Sequence, residues 1–174
     1  AEGANSSGFP DNLGLGNFVS GNYFTALGAE MALGRAFAPE EDQIPGAYPV
    51  MVLSHICWTR RFNSDPHIVG RTVRLAGLPF TVIGVTAPEF IGVTPLPPQF
   101  WTPLMMRDRV LGSRNHSELQ SERKKDSFLL TGRLKPGVGF AQAQAEMNVI
   151  TRRLASSYPD PQRKASVSVT SGST

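Results

Sequence analysis

Residues 72–85 narrow the fold more sharply than any other stretch of the chain. Thr72-Val73-Arg74-Leu75 alternates polar and apolar side chains, Ala76-Gly77 interrupts, and Phe80-Thr81-Val82-Ile83-Gly84-Val85 returns as a run rich in β-branched residues. A period of two is the signature of a strand with one buried face, and two such runs about a two-residue break predict a β-hairpin. Gly77 is the residue expected to need positive φ. Pro79 carries no N–H, so the return strand should begin where one side is free, on an edge or at a bulge.

The rest of the chain supplies material to cover that sheet. Residues 1–16 are rich in Gly, Asn and Ser and read as a flexible lead-in, with order beginning near Asn17. SGNYFTALG at 20–28 predicts a short helix capped by Ser20 or Asn22, presenting Phe24 and Leu27 on one face and ending at Gly28. A second Gly-ended turn is expected at Leu33-Gly34, and a single helical turn at Pro39-Glu40-Glu41-Asp42, its carboxylates near the positive amino end. Val50-Met51-Val52-Leu53 reads as a strand covered on both faces. Ser54 then caps a helix running to about Asn63, with Cys57, Trp58 and Phe62 turned inward, and Asp65-Pro66 starts one more helical turn that Gly70 ends.

Beyond the hairpin the chain changes character. Residues 88–106 are rich in Pro and aromatics, with a brief strand expected over 100–104. Residues 107–127 are strongly polar and read as a mobile loop. A strand is predicted over 128–134, a turn at Lys135-Pro136-Gly137, and a helix over 140–157 with Ala143, Met147, Ile150 and Leu154 on one face. Pro159 and Pro161 stop that helix, and residues 165–170 alternate as a final strand. The fold class is therefore α+β. About 17–127 form one mixed lobe, and about 128–174 form a strand-helix-strand lobe.

Composition limits what this fold is for. In 174 residues, 17 Lys and Arg against 14 Asp and Glu leave a net charge of only +3, spread along the chain, so nucleic acid is not an expected partner. The densest basic run, Arg123-Lys124-Lys125, is flanked by Glu122 and Asp126 and reads as a solvated loop. No apolar run reaches the roughly 18–20 residues of a membrane-spanning helix.

A single cysteine, Cys57, excludes an internal disulfide and any multi-cysteine metal site. It is the one nucleophile candidate, with His55 or His67 as base. Its place on the apolar side of a helix, next to Trp58, favours a small buried hydrophobe. His116 and Glu118 fall in the polar loop, where solvated side chains are expected. Glu40, Glu41 and Asp42 do not have the spacing of an EF-hand, and helix-end electrostatics accounts for them. Gly14-Leu15-Gly16 lacks the third glycine of a dinucleotide fingerprint, and phosphate-loop, nucleophile-elbow and zinc-helix motifs are absent. No cofactor, metal or catalytic residue is expected.

The order of the motifs carries a resemblance. SGNYFTALG at 20–28, ALGRAF at 32–37, PEED at 39–42, VLSHICWTRRF at 52–62, Asp65-Pro66, VGRTVRL at 69–75, PFTVIGV at 79–85 and GRLKPGV at 132–138 resemble, in sequence and order, the MacB-like periplasmic core domain of ABC transporter permeases. The helix over 141–158 is similar to that family's closing helix, so the resemblance covers about residues 17–170. The wording resembles the large permeases abundant in acidobacteria and related soil bacteria, associated with macrolide or antimicrobial-peptide transport. Three departures stand out. Ala76-Gly77 replaces the family's common Asn-Gly, Gly139 stands where Thr often precedes the closing helix, and the strand and helix that the family places before Ser20 are expected to be missing. The last would leave an exposed sheet edge able to pair with another copy.

The resemblance implies a βαβ, porter-like lobe with a largely β lobe inserted, in the extracytoplasmic part of a bacterial inner-membrane protein. It implies a domain without catalytic activity that transmits ATP-driven motion or docks partners during export. The implied partners are the membrane helices of the same permease, an ABC ATPase domain or subunit, a periplasmic adaptor and a second permease copy. A different reading is a receptor for peptide, lipid or a hydrophobic small molecule, with Phe90, Phe100 and Trp101 as the contact residues.

Overall fold

The computed structural model describes residues 14–112 and 130–157 together with Val167 and Val169. These fall into two compact units, one reaching to Leu130 and the other beginning at Thr131. His116, Glu118, the basic run 123–125 and most of the expected final strand lie outside the described residues.

The first unit is built on a six-stranded mixed sheet. Its strands are β1 (Gly16–Val19), β2 (Met31–Gly34), β3 (Val50–Leu53), β4 (Thr72–Leu75), β5 (Leu78–Thr86) and β6 (Phe100–Pro103), ordered β1-β6-β3-β5-β2 with β4 also on β5. The pairs β1–β6 and β3–β5 are parallel, and β3–β6, β2–β5 and β4–β5 are antiparallel. Parallel neighbours need a crossover, and α2 (His55–Phe62) supplies it between β3 and β5. Two further short helices, α1 (Tyr23–Leu27) and α3 (Arg107–Leu111), complete the unit.

Strand alternation sends successive side chains into two cores. Met51, Leu53, Phe80, Val82, Val85 and Phe100 pack on one face with Cys57 and Phe62 of α2, and Val52, Ile83 and Trp101 pack on the other with Tyr23 and Phe24 of α1. Full burial of one such large side chain contributes about 1.5–3 kcal/mol. Val82 and Val85 share a face although they are three apart. The register of β3 against β5 shifts between Met51 and Val52, so the extra residue of a bulge resets the alternation.

The hairpin forms as its pattern predicts. Thr72 faces Thr81, Val73 faces Phe80, Arg74 faces Pro79 and Leu75 faces Leu78. β3 joins β5 only from Thr81 onward, so the missing N–H of Pro79 costs no ladder bond. Ala76 at φ 50° and Gly77 at φ 78° are both left-handed, which makes the turn a primed one despite the alanine. Ser54 caps α2 by accepting the Cys57 N–H at 3.2 Å, and Asn63 ends it in the left-handed conformation. Gly28 ends α1 in the same way, although neither Ser20 nor Asn22 caps it with a side chain: the Ser20 hydroxyl donates to Asn22 Oδ1 instead.

Several expectations are corrected. The segment at Leu33-Gly34, expected as a Gly-ended turn, is the end of β2, because its backbone pairs with Gly84 and Val85 of β5. Asp65 does not start a helix. Its side chain accepts the His67 N–H and its carbonyl the Ile68 N–H, closing a turn that buries Ile68. The polar stretch from Arg107 opens with α3 rather than a loop, and Leu130–Leu134, the described part of the strand expected over 128–134, is irregular. A strand, β1, lies directly ahead of Ser20 and takes the sheet edge beside β6.

The second unit contains the turn at Lys135, where the Val138 N–H donates to the Lys135 carbonyl, followed by α4 (Phe140–Ser157). The Gln144 amide donates to the Val167 carbonyl at 2.9 Å and accepts the Val169 N–H at 2.7 Å, as a neighbouring strand residue would. Ala143 is buried, whereas Ile150 and Leu154 of the same stripe are exposed among the described residues.

Polar side chains fasten the 3-10 turn Pro39–Asp42. The buried Glu41 carboxylate accepts both Arg35 guanidinium nitrogens at 2.7 and 2.8 Å and the Ala38 N–H at 2.7 Å. The Arg35 hydrogen bonds hold its carboxyl below the usual range, with Ala38 assisting and burial opposing. Asp42 accepts the Gly21 N–H at 2.9 Å and the Met105 N–H at 3.0 Å, so one carboxylate joins three segments.

Two outcomes follow. A left-handed residue with a Cβ is strained by on the order of 1 kcal/mol, which Asn relieves, so Ala76→Asn should stabilise the protein by about 0.5–1 kcal/mol in urea unfolding. No gain would mean that the turn is not primed. Glu41 has a depressed folded pKa, so its contribution is complete above the unfolded value of about 4.3 and is lost as pH falls through the lower folded value. Glu41→Gln should therefore cost about 1–2 kcal/mol at pH 7, with Arg35 being half-exposed, and the difference from the parent should shrink on acidification. A pH-independent difference in denaturation midpoints would contradict this.

Candidate functional site

The aromatic stretch, the acidic turn and the Cys–His group are the places where the sequence concentrates chemistry. The structure puts the aromatic stretch to work inside the protein. Trp101, on β6, is completely buried and Phe100 is 4% exposed, each on its own face of the sheet. Phe90 is half-buried against Trp101, with ring centroids 5.5 Å apart. Tyr23, Phe24 and Phe37 close the nest: Phe24 meets Trp101 edge-on at 5.4 Å, Tyr23 edge-on at 5.3 Å, and Phe37 at 5.4 Å. Such pairs contribute about 0.5–1.5 kcal/mol each beyond their buried area. Phe90 and Trp101 thus pack on one another in one core, and Phe100 is buried in the core on the opposite face. In the loop that follows Phe90, Ile91 and Leu96 are exposed.

The loop sits close. Gly92 has φ 84°, and a Cβ there would lie 3.3 Å from Trp101 Cζ2, so a bulkier residue would both strain the backbone and push on the indole. Two polar atoms in the nest, Tyr23 Oη and Trp101 Nε1, are buried on the same side of the sheet. Burial raises the Tyr23 pKa, and hydrogen bonding to the Trp101 side chain and the Val93 backbone offsets this in part.

The acidic turn is structural. Glu41 and Asp42 hold Arg35 and three backbone N–H groups, and Glu40 is exposed. No group of three or more His, Cys, Asp or Glu side chains that could hold a metal ion occurs among the described residues. Cys57 is buried beneath α2, and burial pushes its thiol up to about 11, far from the thiolate a nucleophile requires. His55 packs edge-on against Trp58 at 5.4 Å, and the Trp58 Nε1–H donates to the Asp65 carbonyl at 2.9 Å.

Sequence reasoning missed Tyr23, which lies beside the Phe24 it identified and packs with it on the same side of the sheet. It also missed the Arg35–Glu41 pair, since two charges six apart across an irregular loop follow no helix or strand period. The Asp42 bridge spans 63 residues to Met105 and has no local signal.

Comparison with known proteins fits this architecture. The periplasmic region of MacB from Actinobacillus actinomycetemcomitans is similar over 81% of this chain and 55% of its own, with 17% identity and a TM-score of 0.51. The extracellular domain of the noncanonic ABC-type transporter YknZ from Gram-positive bacteria matches 61% of this chain and 57% of its own at 17% identity and a TM-score of 0.45. A domain of a permease protein from Porphyromonas gingivalis matches 77% and 56% at 14% identity and a TM-score of 0.45. The chain therefore spans a little over half the length of each of these structures. No curated protein matches its sequence. The sequence model of the MacB-like periplasmic core domain matches residues 2–150, most of the chain, and the chain belongs to that family.

Proposed function

We propose that this chain is a non-catalytic, extracytoplasmic domain of an ABC transporter permease, which passes ATP-driven conformational change onward and docks partner proteins during export. The observation that carries this reading is the family match over residues 2–150. The physical design agrees with it. A sheet packed on both faces moves as a body, and displacement applied to one strand reaches its neighbours through close-packed side chains that do not deform continuously. The partners under this reading are the membrane helices of the same permease, an ABC ATPase, a periplasmic adaptor and a second permease copy. Its polar side chains are engaged in fastening loops: Glu41 and Asp42 serve the turn, and Cys57 fills the core.

The alternative, a receptor for peptide, lipid or a hydrophobic small molecule, draws on Phe90, Phe100 and Trp101. Their inward packing supports the mechanical reading over that one. Deleting residues 14–157 from the full-length permease, with the membrane segments kept and expression verified, tests the proposal. Export should fall to background while ATP hydrolysis continues or loses its dependence on substrate. Unchanged export with normally coupled hydrolysis would overturn it.

A further inference from the structure

We propose that the apolar stripe along α4 is a docking surface for the α4 of a second copy of this chain, packed antiparallel. This gives a surface to the second permease copy named above and rests on that reading. Phe140, Ala143, Met147, Ile150 and Leu154 follow one another at spacings of three, four, three and four, the seam of a two-helix coiled coil. Within the helix's own unit only part of that seam is covered. Ala143 is buried and Met147 half-buried, but Phe140 is 54% exposed, Ile150 48% and Leu154 55%. Large apolar side chains scattered singly on a surface are ordinary, whereas three on one seam align into a stripe that another helix fits.

Charge selects the partner and its direction. Glu146 and Arg153 are seven residues apart, flank the seam on the same side and are both exposed. Gln144 and Thr151, which flank it on the other side, are uncharged. In a parallel pair each flank meets the opposite flank of the other helix, so Glu146 and Arg153 would face only uncharged residues. In an antiparallel pair like flank meets like flank, and Glu146 of each copy faces Arg153 of the other, twice by symmetry. The same alignment sets Ile150 across from Met147 of the other copy. Gln144 is already engaged with the Val167 carbonyl and the Val169 N–H, which leaves the Glu146–Arg153 flank as the open side of the seam.

Sedimentation velocity of the chain over a concentration series tests the proposal, because a single helix pair buries little area and the dimer is expected to be weak. Glu146→Arg and Arg153→Glu each turn two attractions into two repulsions and should weaken dimerisation about tenfold, whereas the double reversal restores it. Arg152→Glu, on the outer face of the same helix, should leave dimerisation at the parent value, and circular dichroism verifies that every variant keeps its helix. A chain that stays monomeric throughout the series overturns the proposal, as does a double reversal no better than the single ones. A monomer that instead co-sediments with phosphatidylglycerol vesicles would give the stripe to a lipid surface and overturn it too. None of these results bears on whether deleting residues 14–157 abolishes export, so the docking surface and the permease reading fail separately.

Discussion

The first unit depends on two glycines that let two backbones cross at close range. A Cβ on Gly34 would lie 2.2 Å from the Ile83 carbonyl oxygen, and a Cβ on Gly84 would lie 2.4 Å from the Arg35 carbonyl oxygen. Both contacts involve main chain, which cannot swing aside as a side chain can. The crossing seats β2 on the second half of β5, while β4 takes the first half and β3 lies along the opposite side. One nine-residue strand thus organises three neighbours. Because β3 in turn carries β6, and β6 carries β1, the whole sheet is hung from β5. The crossing also delivers Arg35 to Glu41, so the ion pair that fixes the acidic turn follows from a backbone constraint.

That constraint explains what was legible in the sequence. The hairpin, β3, α2 and α4 announce themselves through local period and capping, and the structure has them at or within a residue or two of the predicted bounds. β1 and β2 do not. Each is four residues long, and Gly16 and Gly34 look like breakers when read locally. At Gly16 the glycine makes room for the Phe100 ring, since a Cβ would lie 2.1 Å from Cζ, and at Gly34 it makes room for β5. A glycine required by a distant neighbour is indistinguishable, within its own window, from one that ends a helix. The sequence's aromatics were visible as a cluster of residue types, but whether they lined a groove or filled a core was decided by the alternation of β6, which sends Phe100 and Trp101 to opposite sheet faces.

The same economy runs through the chemistry. Among the described residues, four groups that looked reactive in isolation have structural occupations: Cys57 lies in the core, Glu41 neutralises Arg35, Asp42 receives two backbone N–H groups, and His55 packs on Trp58. Family membership and this distribution of polar contacts both support the mechanical role proposed above, in which ATP is hydrolysed by another domain or subunit. A mechanical domain needs a frame that keeps its shape under load, and the β5 crossing is the feature of this unit that most directly supplies one.

Amide hydrogen exchange on Gly84→Ala tests most directly whether β5 is that frame. A Cβ at this position forces the Arg35 backbone away. The expected result is loss of protection in β2 together with β3 and β5, and a fall in global stability of about 2 kcal/mol or more. Protection lost only at β2, with β3 and β5 exchanging as in the parent, would contradict it.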